Sequence, residues 1–129
     1  MKSVNKLLEL YHETSKHSNY QIVASMLEKY ISNQNIDVIS RYEKERLKYF
    51  VENIDIKDKK ILDIGGNTGF FTFELLNHSA SKVIYYEGNK VHAQFVKEAS
   101  KILDLEDIVN VLDEYFLFDN TNKDSYDVI

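Results

Sequence analysis

The stretch KILDIGGNTGFFTFELL, residues 60–76, decides the fold of this chain. It begins with a short apolar run, KILDI, of the kind expected for a parallel strand that is buried on both faces. Asp63 interrupts this run near its end, and a carboxylate is costly to bury unless a donor bonds to it. A glycine turn follows, and the apolar residues from Phe70 to Leu76 continue as a helix packed against the sheet. The stretch therefore predicts strand, tight turn and helix, with a polar role for Asp63 at the edge of the sheet.

Three glycines shape the turn after this strand: Gly65, Gly66 and Gly69. Glycine adopts positive φ freely and lets the backbone lie close to a ligand, and Asn67 is the other residue here that tolerates the left-handed region. A phosphate-binding P-loop is excluded, because Phe70 stands where that motif needs lysine. A dinucleotide fingerprint is also excluded, because its first glycine would fall at Ile64. The remaining pattern is D-x-G-x-x-x-G.

The pattern formed by Asp63, Gly65 and Gly69 closely resembles motif I of S-adenosylmethionine-dependent methyltransferases with the Rossmann-like fold. The commonest form of that motif has a further glycine where this chain has Asn67. The resemblance implies an α/β fold with a parallel sheet, in which the glycine loop lies against S-adenosylmethionine. The alternative is an ordinary corner between a strand and a helix, with no ligand.

A second strand is predicted in the sequence KVIYYE, residues 82–87, which places Glu87 at its carboxyl end. Because the carboxyl ends of parallel neighbours form one crevice, Glu87 and the loop after Asp63 are expected to face the same ligand. A carboxylate there can accept two hydrogen bonds from a ribose diol. In the resembling family this acid grips the ribose of S-adenosylmethionine. The alternative is that Glu87 only lies favourably near the amino terminus of the next helix, which Asn89 can cap.

A third strand is predicted at residues 108–112, and two acids, Asp113 and Glu114, follow it. Members of the resembling family often use a polar residue here to bond the adenine amino group, which is a donor and needs an acceptor. Asp113 is the first choice for that role and Glu114 the second. The alternative is that both acids are solvated in a loop.

The resemblance thus implies one set of cofactor-binding residues: Asp63, Gly65, Gly66, Asn67, Gly69, Phe70, Glu87 and Asp113. In this set the ring of Phe70 either makes a cation-π contact with the sulfonium or belongs to the core. No general base can be named, and no cluster of His, Asp and Glu has the spacing of metal ligands.

Residues 1–56 are predicted to be mainly helical, and residues 57–129 to form the cofactor-binding half domain. Apolar stripes predict helices near residues 4–11 and 20–31, and Ser40 with Glu43 has the spacing of a capping box for a third. Such an amino-terminal region resembles the lid that many family members place over the cleft. The residues that such a lid could project into the site are His17, Tyr20, Gln21, Arg41 and Tyr42. The alternative assigns these residues to the core, to turns and to the start of a helix.

The composition bounds the class of protein. The 129 residues fit one globular domain, and the absence of cysteine excludes disulfides and thiol catalysis. A net charge of −5 gives no strong signal for nucleic acid. No apolar run approaches the length of a membrane span, and no secretory signal is recognisable, so a cytoplasmic location is expected.

The last four residues, Tyr126–Ile129, have the pattern of the opening of a fourth strand. The resemblance therefore implies a Rossmann-like parallel sheet that holds the first four strands only, is truncated relative to the family and is preceded by the helical region. An apolar strand left at the edge of a sheet favours dimerisation.

The function predicted from these features is S-adenosylmethionine-dependent methyl transfer, with an unknown acceptor and this chain as the cofactor-binding part. The second hypothesis is a non-catalytic module that binds S-adenosylmethionine or another nucleoside, or a structural subunit. An NAD-binding fold is the third.

Overall fold

The computed structural model describes residues 2–14, 22–31, 42–118 and 126–129. Helices and parallel strands alternate in the part of the chain that follows residue 59. The elements in chain order are α1 (Lys2–Thr14), a 3-10 turn (Ser25–Leu27), α2 (Glu28–Ile31), α3 (Glu43–Asn53), β1 (Lys60–Ile64), α4 (Phe70–Asn77), β2 (Lys82–Tyr86), α5 (Lys90–Ile102) and β3 (Val109–Leu112).

The three strands form a parallel sheet in the order β1-β2-β3. In its register Asp63 lies opposite Tyr85, and Tyr85 lies opposite Val111. The connections are α4 between β1 and β2 and α5 between β2 and β3, so each crossover carries a helix, as parallel neighbours require. This arrangement confirms the predicted α/β fold with a Rossmann-like parallel sheet. β3 begins at Val109, one residue later than predicted.

The segment 126–129 lies beside β1 through a single parallel bridge between Ile61 and Val128. The amide of Leu62 donates to the carbonyl of Val128 at 2.8 Å, whereas the amide of Gly65 donates to Tyr86 next to β2 at 2.8 Å. Alternate amides of a strand point to opposite edges, so this segment and β2 flank β1. The predicted fourth strand therefore lies at the edge of β1 away from β2, where it forms a single bridge and not a full strand.

Both faces of the sheet are covered. On one face α5 packs with α1, where the rings of Tyr11 and Phe95 lie 5.5 Å apart between centroids. On the other face Ile84 and Tyr86 are buried, and Phe116 packs edge-on against Tyr86 at 5.0 Å. This burial explains why the strand sequences are nearly continuous apolar runs.

The amino-terminal helices differ from the prediction in two places. Ala24 is extended (φ −60°, ψ 150°), and the amide of Ser25 donates to Glu74 on α4 at 2.5 Å, so the second helix is shorter than its apolar stripe. The capping box was wrong, because α3 begins at Glu43, directly after the left-handed Tyr42 (φ 62°). Glu43 is the first residue of the helix and not the third, and Ser40 lies outside the described residues.

The described helices include none that combines the length and apolar character needed to cross a membrane.

Candidate functional site

The loop between β1 and α4 carries three residues in the left-handed region. The φ angles are +67° at Gly65, +53° at Asn67 and +83° at Gly69. The side-chain oxygen of Asn67 accepts from the amide of Thr68 at 2.8 Å, and the amide of Gly69 donates to the carbonyl of Gly66 at 2.9 Å. The turn is therefore closed by its own hydrogen bonds, and the left-handed conformation predicted for Asn67 is confirmed.

Gly65 and Gly66 face different surroundings. A Cβ atom at Gly66 would lie 2.5 Å from two ring carbons of Tyr85 and 2.9 Å from the Oδ2 atom of Asp63. A Cβ atom at Gly65 would have no heavy atom within 4 Å outside its chain neighbours. Gly66 is thus required by packing, whereas Gly65 leaves open space above the loop in which a ligand can approach the backbone.

Asp63 lies beneath this loop and is half-buried. The hydroxyl of Thr72 on α4 donates to its Oδ2 atom at 2.6 Å, which supplies the donor that a buried carboxyl needs. Burial raises the pKa of Asp63 above its usual 3.8, the bond from Thr72 opposes this rise, and the charge of Glu87 adds to it. Asp63 thus links the end of β1 to the first turn of α4.

Changing Asp63 to asparagine is expected to alter the stability of the protein in a pH-dependent way. Relative to the wild type, the variant should be more stable at neutral pH than at acid pH. A carboxyl whose pKa is raised by folding stabilises the protein fully below its unfolded value and loses that contribution as the pH rises through the folded value. Asparagine does not titrate, and its oxygen still accepts from Thr72. The free energy of unfolding of Asp63→Asn minus that of the wild type should therefore rise between about pH 4 and about pH 8 in urea titrations.

Glu87→Gln is the matched comparison, because its stability relative to the wild type should change with pH in the opposite direction. A carboxylate whose pKa is lowered by folding stabilises the protein above its unfolded value and loses that contribution as the pH falls. Glu87→Gln minus wild type should accordingly become more negative as the pH rises through about 4.5. Stability differences that change in the same direction with pH for both variants would show that one of the two pKa shifts has the opposite sign.

Glu87 follows β2 and reaches back to the glycine loop. Its Oε1 atom accepts from the amide of Asn67 at 3.0 Å, and its Oε2 atom accepts from the amide of Asn89 at 2.9 Å. The Nδ1 atom of His92 lies 3.9 Å from Oε1, and the side chain of Glu87 is only 13% exposed. Burial alone would raise the pKa of Glu87, but the interactions with His92, Asn89 and Asn67 outweigh burial, and the pKa lies below its usual value. Glu87 is therefore a fixed carboxylate, and its predicted position beside the glycine loop at the carboxyl ends of β1 and β2 is confirmed. The ligand expected there stays a prediction.

The predicted cap of α5 by Asn89 is confirmed. The side-chain oxygen of Asn89 accepts from the amides of Val91 and His92 at 2.9 and 3.2 Å. An N-cap of this kind satisfies amides that have no partner within the helix. It fixes the start of α5 directly after Glu87.

Asp113 lies at the third strand end and is largely exposed. Its Oδ2 atom lies 3.6 Å from the Nζ atom of Lys90, which also donates to the main-chain carbonyl of Asp113. Two residues later, the ring of Tyr115 lies against Gly88, where a Cβ atom would come within 2.3 Å of two ring carbons. Lys90, at the start of α5, thus connects Asp113 to the ends of β1 and β2. A carboxylate oxygen of Asp113 is accessible to solvent.

The structure places the predicted site residues in three positions. Most of them form one cluster at the ends of β1 and β2: Asp63, Gly65, Gly66, Asn67, Gly69 and Glu87. Asp113 lies beside this cluster at the end of β3. The ring of Phe70 is 2% exposed and packs edge-on against Phe71 at 5.2 Å, which assigns that ring to the core. Of the lid residues, Tyr42 is exposed at the start of α3, while His17, Tyr20, Gln21 and Arg41 lie outside the described residues.

Sequence reasoning missed four residues of this site: Thr72, Tyr85, Gly88 and Tyr115. One signal was available for Gly88, because all four glycines of the chain lie in the loops that follow β1 and β2. The other three reach the site through packing between elements and carry no motif. Among the described residues no group of three or more His, Asp and Glu side chains could hold a metal ion.

Comparison with known proteins shows which folds this arrangement resembles. No family profile matches the chain. The structure of PRMT6 with SAH superposes with a TM-score of 0.51 and 20% identity, covering 56% of this chain and 21% of PRMT6. YhhF of Escherichia coli, a proposed methyltransferase, superposes with a TM-score of 0.52 and 17% identity, covering 58% of this chain and 41% of YhhF. The predicted resemblance to S-adenosylmethionine-dependent methyltransferases is thus confirmed for the fold of about half of the chain.

The chain also matches part of one curated sequence relative. Hemolysin A of Brachyspira hyodysenteriae is 40% identical over an alignment of 78 residues, and this alignment covers 57% of this chain and 32% of that protein. The chain therefore spans about a third of this curated relative and less than half of the two solved structures.

Proposed function

We propose that this chain binds S-adenosylmethionine at the ends of β1 and β2, as the cofactor-binding part of a methyltransferase. The single observation that carries the proposal is the fixed carboxylate of Glu87, which is bonded to the amide of Asn67 beside the open face of Gly65. A carboxylate fixed at the end of this strand can accept hydrogen bonds from the diol of a free ribose. The fold shared with methyltransferases supports the proposal independently.

The residues present fit the cofactor at three points. Each oxygen of Glu87 accepts one backbone amide, and a carboxylate oxygen has a second lone pair, so both can also accept from a ribose hydroxyl. The open space over Gly65 lets the backbone lie close to the ligand. The exposed carboxylate of Asp113 can accept from an adenine amino group if it exchanges Lys90 for the ligand.

The role of the chain in methyl transfer is binding and alignment. S-Adenosylmethionine supplies an activated methyl group when it is bound, and the transfer is an in-line displacement, so the protein has to hold donor and acceptor in line. In this role the backbone of the glycine loop lies near the amino acid part of the donor, and Glu87 holds its ribose. The acceptor and the base that removes its proton stay open in this proposal. Dimerisation through the sheet edge and a cytoplasmic location stay predictions from the sequence.

The first test is calorimetric titration of the natural full-length protein with S-adenosylmethionine and S-adenosylhomocysteine. We expect saturable binding of both at one site. NAD is the control ligand, because the glycine spacing excludes the dinucleotide fingerprint. If neither S-adenosylmethionine nor S-adenosylhomocysteine binds, the proposal is refuted. Saturable binding of NAD without a response to S-adenosylhomocysteine would support the NAD-binding hypothesis instead.

A second measurement separates an enzyme from a non-catalytic binder. The protein is incubated with methyl-labelled S-adenosylmethionine and separate pools of RNA, protein and small-molecule acceptors. Formation of S-adenosylhomocysteine that depends on one pool would show a methyltransferase and identify its acceptor class. Tight binding of the donor with no turnover on any pool would favour the non-catalytic module.

A further inference from the structure

Tyr85 is a buried polar residue that the proposed ligand does not need to touch. It lies in β2, is fully buried, and its ring packs against Gly66. Its hydroxyl donates to the main-chain carbonyl of Asn67 at 2.5 Å. A tyrosine hydroxyl in a core needs such a partner, and here the partner is the glycine loop.

Asn67 is consequently held from two sides. Its carbonyl accepts from Tyr85, and its amide donates to the Oε1 atom of Glu87 at 3.0 Å. Both bonds act on a residue with φ +53°, a conformation that costs energy for any residue except glycine. The commonest form of the motif has glycine at this position, which would leave the backbone freer. In this chain the less flexible residue and the two bonds occur together.

From this geometry we infer that Tyr85 is a positioning residue, which sets the conformation of the glycine loop through Asn67 before the ligand binds. The consequence for affinity rests on the function proposed above. A loop that is already ordered loses less conformational entropy on binding, so its ligand binds more tightly.

The chemistry of the hydroxyl suits this role. Burial raises the pKa of Tyr85, and the charges of Glu87 and Asp63 add to the rise. The hydroxyl therefore stays protonated and remains a donor. The main-chain carbonyl of Asn67 is the matching acceptor.

The test is Tyr85→Phe, which removes the hydroxyl and keeps the ring against Gly66. Two quantities are measured on the natural full-length protein: the affinity for S-adenosylhomocysteine by calorimetry and the hydrogen exchange of the Asn67 amide by NMR. The loss of one hydrogen bond should weaken affinity by about tenfold and speed exchange at Asn67 by a similar factor. The control is Tyr49→Phe, which removes a hydroxyl from an exposed tyrosine of α3 and should change neither quantity.

Exchange at Val83 distinguishes positioning from general support of the core. The amide of Val83 donates to Ile108 in the middle of the sheet at 2.9 Å. Acceleration at Asn67 with no change at Val83 supports the inference. Equal acceleration at both sites, or wild-type exchange at Asn67, would overturn it. If the wild type binds neither S-adenosylmethionine nor S-adenosylhomocysteine, the proposed function fails, whereas the exchange data still decide the role of Tyr85.

Discussion

Replacing Glu87 by alanine is expected to weaken the binding of S-adenosylmethionine by about a hundredfold while the protein stays folded. Two charge-assisted hydrogen bonds to a ribose diol are lost, and together they amount to about 3 kcal/mol. The fold should survive, because the carboxylate contacts the amides of Asn67 and Asn89 at the rim of the sheet and belongs to neither apolar core cluster. The measurement is calorimetric titration of both proteins, with a thermal melt of each without ligand.

The matched control is Glu98→Ala. Glu98 is another partly buried glutamate, but its partners, Gln94 and Lys101, lie on its own helix α5. Its removal should leave affinity unchanged. A further comparison uses an S-adenosylhomocysteine analogue that lacks the ribose 2′-hydroxyl. If Glu87 binds the ribose, Glu87→Ala should cost this analogue less than it costs the parent ligand, because one shared interaction is already missing. Equal losses would place Glu87 outside ribose recognition, and unchanged affinity would remove it from the site.

The part of this site that the sequence predicts is the part that local rules determine. An apolar run followed by glycines specifies where β1 ends, and Asn89 specifies where α5 begins. The contact between Glu87 and the loop is long-range, yet it is predictable, because parallel strands joined by a helix must end at the same edge. Topology thus converts two local patterns into one expected contact.

The contacts that were missed depend on packing between elements. Tyr85 lies within the continuous apolar run of β2, and no rule for strands indicates that its hydroxyl meets Asn67. Tyr115 reaches Gly88 from the loop after β3, where the sequence has no periodicity. In the amino-terminal region, the bond from Ser25 to Glu74 joins a 3-10 turn to α4 and overrides the helical stripe. Each contact links residues that are far apart in the chain, and only the folded core brings them together.

Gly66→Ala and Gly65→Ala are expected to affect different properties, although the two residues are adjacent. Gly66→Ala should cost more stability, whereas Gly65→Ala should cost more affinity for the ligand. A methyl group at Gly66 would lie 2.5 Å from the ring of Tyr85, so the core must shift, and overpacking of this kind costs about 1–3 kcal/mol. A methyl group at Gly65 meets no neighbour, and its cost is the strain of a positive φ, about 1 kcal/mol. Urea unfolding should therefore show the larger loss of stability for Gly66→Ala.

The order reverses for ligand binding at temperatures where both variants are folded. The Gly65 methyl group points into the open space above the loop, where the proposed ligand lies closest to the backbone, so Gly65→Ala should lower affinity by about tenfold or more. Gly66→Ala points into the core and should lower affinity less. The clash at Gly66 can be checked separately with Tyr85→Leu, which removes the ring. The double variant Gly66→Ala with Tyr85→Leu should lose less stability than the sum of the single variants, because the substituted groups no longer collide. Additive losses would mean that Gly66 is not required by Tyr85, and a Gly65→Ala protein with wild-type affinity would mean that the ligand does not lie over this loop.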